Sequence, residues 1–290
     1  MPTPTDQATQ LVTASALREW PLPDARGSKH DRGHVLVVGG SPSTPGAVML
    51  AGVSALRVGA GVLALAVARS VAGSVAVALP EAAVHGLGQL DGTGSDPLDY
   101  LASADAVLVG PGLDDADVTR ELLGLVLDTA ADGARLVLDA FALGVLPGVE
   151  GFDRRAGRAV LTPNTSEAER LLDVAADELD GRDQVEVAAD IARRYGAVVS
   201  YWGHVAAPDG RRWSVPAGHA GLGTSGSGDV LAGAVVGLLA RGADPAQAGC
   251  WATYLHATAG DRLAPRVGRL GFLARELVDE LPLVLVQTEV

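Results

Sequence analysis

The chain alternates short apolar segments with amphipathic ones along most of its 290 residues, and this pattern limits its fold more than any other feature. Strands are predicted from the valine- and leucine-rich runs at 34–38, 62–66, 75–78, 106–109, 136–138, 159–161 and 197–200. Helices are predicted from apolar spacing at 46–58, 114–131, 166–173 and 183–195. Uniformly apolar strands between helices are typical of a parallel sheet covered on both sides. We therefore predict an α/β fold with a central, mostly parallel sheet and helices on both faces.

The second part of the chain extends this arrangement. Residues 205–207 and 211–214 flank Pro208, Asp209 and Gly210, which predicts a β-hairpin. Two or three helices are predicted near the end of the chain, covering 228–241, 244–262 and 272–281. Residues 1–28 are polar and contain several prolines, and we expect an N-terminal extension there with a short helix at 14–20. Because the remainder contains no long linker, residues 29–290 are predicted to form a single domain.

The motif GTSGSGD at residues 223–229 comes directly before an apolar helix. Gly226 and Gly228 permit backbone angles and close approaches that a Cβ would prevent, so backbone amides can converge on phosphate oxygens. The helix N-terminus adds free N–H groups and a favourable dipole. A carboxylate would repel a phosphate, so we interpret Asp229 as a base that takes a proton from a substrate hydroxyl. The alternative is that Asp229 only caps the helix beside a flexible loop.

Three other loops follow predicted strands: GGS at 39–41, GPGL at 110–113 and LTPNTSE at 161–167. Because the carboxyl ends of parallel strands meet at one edge, we predict that these loops and the glycine motif converge there. Taken singly, each could be ordinary turn chemistry, with Asn164 or Ser166 as a helix cap and Glu167 in the first turn. Asp139 could orient a metal-bound water or cap the short helix after it.

Charge and cysteine content exclude several classes of function. The formal net charge of −13 argues against nucleic acid and anionic membrane surfaces as partners. Cys250, which has no second cysteine to pair with, is expected to be a buried and unreactive residue of a cytoplasmic protein. The start of the chain shows no secretory pattern, and no apolar run has the length of a membrane span. The six histidines show no pair at metal-ligand spacing, so a zinc site is not expected.

The order of the motifs adds a family resemblance. The sequence contains KHDRGHVLVVGG at 29–40, LVGPGL at 108–113, VLDAFAL at 137–143, LTPNTSEAERLL at 161–172 and GHAGLGTSGSGDVLAG at 218–233. Over roughly residues 29–282 the chain resembles the ADP- or ATP-dependent (S)-NAD(P)H-hydrate dehydratases, which have the ribokinase-like fold. Those enzymes repair hydrated NADH and NADPH by passing a phosphoryl group to the ring hydroxyl and then releasing phosphate. The resemblance implies a metabolite-repair lyase with ADP or ATP as phosphoryl donor.

The resemblance also implies roles for individual residues. Asp229 would contact the hydroxyl of the hydrate as the base, and Ala47, Gly112 and Asn164 would line the hydrate pocket. The residues implied for the adenine nucleotide are Gly203, Thr224, Gly226, Ser227 and Gly228. Phosphoryl transfer implies Mg²⁺, for which Asp139 and Glu167 are the candidate ligands. The family also suggests a homo-oligomer.

The chain departs from the family pattern at working positions, which makes it a divergent member. Asn164 replaces the histidine of TPHPGE, and Phe141 replaces the second aspartate of LDAD. Trp202 stands where the family has a lysine before glycine, and its indole could stack on adenine or fill the core. Two alternatives therefore stay open: a small-molecule kinase of the same fold that phosphorylates a vitamin-like alcohol, and a non-catalytic nucleotide-binding protein.

Overall fold

The structure is a computed structural model that describes residues 8–24, 26–87 and 97–290, so residues 1–7 and 25 of the predicted extension lie outside it. The described strands are β1 (Gln10–Leu11), β2 (His34–Val38), β3 (Val62–Ala68), β4 (Ala82–Leu87), β5 (Ala106–Val109), β6 (Arg135–Leu138), β7 (Ala159–Leu161), β8 (Val198–Tyr201), β9 (His204–Ala206) and β10 (Arg212–Ser214). The described helices are α1 (Ala14–Arg18), α2 (Pro45–Arg57), α3 (Arg69–Ala78), α4 (Pro97–Ser103), α5 (Ala116–Thr129), α6 (Phe141–Val145), α7 (Thr165–Leu172), α8 (Gln184–Tyr195), α9 (Ser227–Ala240), α10 (Pro245–Val267) and α11 (Ala274–Glu289).

The strands form one sheet in the order β1-β10-β9-β8-β7-β6-β5-β2-β3-β4. Of the described strands, only β9 runs antiparallel to its neighbours, through the predicted hairpin with β10 and a tight turn after β8. At the centre, β2 pairs in parallel with β3 and β5, with Val35 opposite Leu63 and Ala106. The prediction of a mostly parallel sheet is confirmed.

Helices cover both faces of the sheet, as predicted. Successive side chains of a strand point to opposite faces, so Val35 and Val37 enter one core while Leu36 and Val38 enter the other. The first core contains buried residues of α2, α9, α10 and α11, and the second contains those of α5, α6, α7 and α8. Burial of each strand on both faces explains its uninterrupted apolar sequence.

The prediction of a strand at 75–78 is wrong, because these residues form the end of α3. The run Val-Ala-Val-Ala is too short for its periodicity to distinguish a strand from a helix. The strand comes later, as β4, which pairs with β3 at the edge of the sheet. Its apolar run is interrupted by His85 and Gly86 and most of its residues are only half-buried, so the sequence carried a weak signal.

The described part of the N-terminal segment packs on the same sheet. Residues 10–11 form β1, which pairs in parallel with β10. Leu17 of α1 is 1% exposed, and the ring of Trp20 stacks on Trp213 with centroids 5.8 Å apart. The indole N–H of Trp251 donates to the carbonyl oxygen of Trp20 at 2.9 Å. This segment therefore adds an edge strand and a small apolar cover to the sheet.

Cys250 lies in α10 and is buried, as predicted, and this burial raises the pKa of its thiol. No helix in the described part of the chain combines the length and the apolarity needed to cross a bilayer.

Candidate active site

Close packing of α9 against α2 fixes the position of Asp229. A Cβ on Gly233 would lie 2.1 Å from the carbonyl oxygen of Ala51, so the two helices approach to a distance that only glycine allows. Gly226, with a φ of +85°, is the N-cap of α9, and Asp229 is the third residue of the helix. The interpretation of Asp229 as the N-cap is therefore wrong, and its carboxyl group is not used to start the helix.

The loops after β2 and β5 are joined by hydrogen bonds at the carboxyl edge of the sheet. The backbone N–H of Ser41 and the hydroxyl of Thr44 donate to the carbonyl oxygen of Gly112, at 2.7 and 2.8 Å. Gly112 has a φ of +68°, and a Cβ there would lie 2.4 Å from the carbonyl oxygen of Thr44 and 3.1 Å from the Cβ of Ala47. The structure therefore brings Ala47 and Gly112, two candidate hydrate-binding residues, into contact range.

The glycine loop lies beside the same turn of α2. Leu50 follows Ala47 by three residues and therefore lies on the same side of the helix. A Cβ on Gly226 would lie 2.6 Å from Cδ1 of Leu50 and 3.7 Å from Oδ2 of Asp229. The candidate base thus lies next to the helix that carries one of the hydrate-side residues.

The first turn of α9 offers free backbone donors. The amide of Ser227 donates to the carbonyl oxygen of Thr224 at 3.1 Å, and that of Val230 donates to Gly226 at 3.2 Å. Within the described residues, no backbone carbonyl accepts from the amides of Gly228 and Asp229. Free amides at a helix N-terminus are the usual donors to phosphate.

The side chain of Ser227 in the first turn of α9 points into the protein interior. Ser227 is 3% exposed, and its hydroxyl lies 2.8 Å from Nε2 of His256, which is 8% exposed. Sequence reasoning did not single out His256. The available signal was the stripe of polar residues on α10 that includes Thr253 and His256.

Three carboxyl groups share the weakly solvated carboxyl edge of the sheet. Burial, and then the charge of Asp139, raises the pKa of Asp229 to about 7. Burial raises the pKa of Asp139 to about 6, although its Oδ1 accepts a hydrogen bond from the Thr162 hydroxyl at 2.8 Å. Burial also raises the pKa of Glu167 to about 7, with a smaller contribution from the charge of Asp139. A base with a pKa near neutrality is well matched to proton transfer at physiological pH.

Asn164 and Glu167 form a capping box at the start of α7. The side-chain oxygen of Asn164 accepts from the Glu167 amide at 3.0 Å, and Glu167 accepts from the Asn164 amide at 2.9 Å. The helix-cap interpretation of these two residues is confirmed. Only the NH₂ group of the exposed Asn164 side chain is left to face a ligand. Asp139 does not cap the short α6, whose N-cap is Ala140 without a side-chain hydrogen bond, so that interpretation is wrong.

Trp202 projects from the turn between β8 and β9. Trp202 and Gly203 have φ values of +48° and +79°, which is typical of a two-residue hairpin loop. Trp202 is 63% exposed, so the idea that it fills the core is wrong. Its indole N–H donates to the Thr165 hydroxyl at 3.1 Å, at the start of α7. Phe141, at the third departure from the family pattern, is half-buried and packs against the core that contains α5 and α8.

The donor set at this edge suits magnesium. In the described part of the chain, no group of three or more His, Cys, Asp or Glu side chains is placed to hold an ion directly. Mg²⁺ usually binds one or two carboxylates and completes its coordination with water and substrate phosphates. Asp139 and Glu167 are oxygen donors, and burial is the largest influence on the pKa of both. They therefore fit an ion that arrives with a nucleotide.

Two other cavities lie away from this edge. One of about 320 Å³ is lined by Trp20, Trp213 and Cys250, and another of about 780 Å³ by Arg241 and Trp251, among others. Neither contains a candidate site residue. We place the site at the carboxyl edge because the carboxyl groups with raised pKa and the free amides meet there.

Comparison with known proteins agrees with this geometry. Residues 35–283 match the family model described as NAD(P)H-hydrate dehydratase. The chain belongs to this family. Members include the ADP-dependent (S)-NAD(P)H-hydrate dehydratase of Xanthomonas campestris, which is 46% identical over 97% of this chain and 98% of its own length.

Solved structures support the family and the fold. The ADP/ATP-dependent NAD(P)H-hydrate dehydratase of Bacillus subtilis, co-crystallised with ATP/Mg²⁺, is 30% identical and superposes with a TM-score of 0.79 over 97% of this chain and 99% of its own. A ribokinase-like superfamily protein from Enterococcus faecalis, 21% identical, gives a TM-score of 0.82 over 97% of this chain and 96% of its own. The predicted ribokinase-like fold is confirmed. The chain spans about half the length of the bifunctional NAD(P)H-hydrate repair enzymes that it also matches.

Proposed function

We propose that this member of the NAD(P)H-hydrate dehydratase family uses an adenine nucleotide to dehydrate the S form of NADH or NADPH hydrate. One observation carries the proposal. The carboxyl group of Asp229, with a pKa of about 7, lies in the helix turn that offers free amides and next to α2, whose Ala47 is in contact range of Gly112. This arrangement joins a base, an anion site and a second ligand site at one edge of the sheet.

The chemistry follows from these positions. Asp229 takes the proton of the ring hydroxyl as the hydroxyl oxygen attacks the terminal phosphorus of the nucleotide. The bond between that phosphorus and the bridging oxygen breaks, and the amides of Gly228 and Asp229 stabilise the charge on the phosphate oxygens. The ring nitrogen then expels phosphate from the neighbouring carbon. Loss of a proton from the next ring carbon forms the double bond of the dihydropyridine.

Other residues complete the two ligand sites. We infer that Trp202 stacks on adenine, because its indole is exposed, fixed by the hydrogen bond to Thr165 and next to Gly203. Thr224 and Gly226 shape the phosphate loop, and Ser227 supports it from within. The NH₂ group of Asn164 is proposed to contact the hydrate. Asp139 and Glu167 would hold Mg²⁺ through water, and the ion would neutralise phosphate charge. A cytoplasmic location and a homo-oligomeric state are also part of the proposal.

The test is the recovery of NADH. Purified protein is incubated with enzymatically prepared NADH hydrate and Mg²⁺, with ADP or ATP in separate samples, and dihydronicotinamide absorbance is followed. Recovery that requires a nucleotide and releases phosphate supports the proposal. A stable phosphomonoester on a vitamin-like alcohol, without recovery of NADH, would instead identify a kinase. Nucleotide binding without any turnover would identify a non-catalytic protein.

A further inference from the structure

One face of α10 bonds to the nucleotide side of the site at four points. The residues that contribute are Thr253, His256, Gly260 and Asp261. They lie at positions i, i+3, i+7 and i+8, so they form a single stripe on the helix. Their contacts, all made to segments outside α10, are Thr253 to the hydroxyl of Ser200 at 2.8 Å, His256 to the hydroxyl of Ser227 at 2.8 Å, the carbonyl of Gly260 to Nε2 of His219 at 3.2 Å, and Asp261 to the amide of Gly218 at 2.9 Å.

The bond between His256 and Ser227 reaches the reacting region most directly. Ser227 is the first residue of α9, Gly228 with its free amide is the second and Asp229 is the third. Because both Ser227 and His256 are buried, a substrate cannot reach the serine hydroxyl, and the pair does not fit a nucleophile. Burial lowers the pKa of His256 to about 4, so the ring is neutral near neutral pH and places no charge beneath the anion site.

We propose that His256 is a positioning residue, which through Ser227 holds the first turn of α9 in the orientation required by the phosphate and the hydrate. The inference rests on the function proposed above. The loop before α9 contains several glycines and has little stiffness of its own. The first residue of α9 is instead tied to α10, a 23-residue helix in the centre of the core. Small misplacements of reacting groups cost about 10²-fold in rate.

The test is a double-mutant cycle on activity. His256→Leu and Ser227→Ala should each lower kcat/KM by roughly 10- to 100-fold, with part of the loss in the KM for ADP. Because both act through one hydrogen bond, the double variant should lose no more than the worse single variant. His256→Gln, whose amide can reach the position of the imidazole Nε2, should recover most of the activity. Thr119→Val is the matched control, since the buried Thr119 of α5, on the other face of the sheet, donates its hydroxyl to the backbone carbonyl of Asp115, the residue before that helix.

The outcomes separate positioning from simple stability. Thermal unfolding of all variants is measured in parallel, and Thr119→Val should lose stability without losing activity. Additive losses in the double variant, no recovery by His256→Gln, or an equal loss of activity in Thr119→Val would overturn the inference. ADP affinity of the same variants is measured by calorimetry in the absence of hydrate. If the protein fails to repair hydrate but the affinity losses at His256 and Ser227 remain non-additive, the proposed function is wrong and the positioning role stands.

Discussion

Replacing Asp229 with asparagine should make the protein more stable and much less active. The pKa of Asp229 is raised from 3.8 to about 7 by burial and by Asp139, so the ionised carboxylate is less favourable in the folded protein than in the unfolded chain. The difference between these values corresponds to about 4 kcal/mol of lost stability at about pH 8. Water screens part of this at a half-buried group, so we expect the variant to gain roughly 1–3 kcal/mol, or about 2–6 °C in Tm.

The sign of this effect depends on pH. Below about pH 4 the carboxyl group is protonated in both states, and the substitution should bring no gain. Between about pH 4 and pH 7 the unfolded chain ionises before the folded protein does, so the gain should grow, and above about pH 7 it should be constant. Over the same range the activity of the variant should be lower by about 10²- to 10⁴-fold, because the base is lost.

Calorimetry of the ligand-free and metal-free protein at about pH 5 and about pH 8 checks the stability, and the NADH recovery assay checks the rate. Asp117→Asn is the matched control: the side chain is 90% exposed in α5 and its ion pair with Arg120 lies at the surface, so stability and rate should change little. A Tm that falls in the Asp229 variant, or an equal gain at both pH values, would show that the carboxylate is not held at an energetic cost. Full activity would show that Asp229 is not the base.

Three further substitutions test other parts of the structure. Trp202→Ala should raise the KM for ADP about 10-fold with little change in kcat, because base stacking on an aromatic ring contributes about 1–3 kcal/mol; initial rates measure this. Gly226→Ala should lower the Tm and weaken ADP binding, since its φ is +85° and a Cβ would lie 2.6 Å from Leu50, at a cost of about 1–3 kcal/mol. Arg155→Met should lower the free energy of unfolding, measured in urea, by about 2–4 kcal/mol and leave the activity unchanged. Arg155 is 5% exposed, and its guanidinium group donates to three backbone carbonyls at the end of α5.

The central sheet could be predicted because its strands are buried on both faces. Burial on two sides requires an unbroken apolar run, as in β2 and β5, and such runs are visible in the sequence. The edge strands β1 and β4 do not meet this requirement. Polar or small residues are tolerated in them, and neither was predicted. The run at 75–78 is also unbroken and apolar, but it belongs to a helix whose buried residue is Val75. Four apolar residues are compatible with both the strand period and the helix period.

The location of the site loops could be predicted, whereas the pKa values and tertiary hydrogen bonds of their side chains could not. Parallel strands deliver their carboxyl ends to one edge in any such fold, so Asp139, Glu167 and the glycine motif had to lie near one another. Their raised pKa values depend on burial, which arises from the packing of separate elements. The same holds for His256, which lies 29 residues after Ser227 in sequence. A stripe of polar residues on an apolar helix was the signal that could have revealed it.

The packing of α2 on α9 explains how such an unfavourable carboxylate can be aligned with two ligands. Gly233 and Gly237 let the carbonyls of Ala51 and Ala55 approach so closely that any added Cβ would lie within 2.6 Å of them, which fixes the helices in one register. The helix α2 carries Ala47, which is proposed to line the hydrate pocket, and α9 carries Asp229 beside the free amides of its first turn. A shift of either helix would have to carry the other with it, since close-packed interiors transmit displacement. In the proposed reaction, the distance between Asp229 and the ring hydroxyl would therefore be set by two rigid helices, which can retain a reactive geometry that a mobile loop would lose.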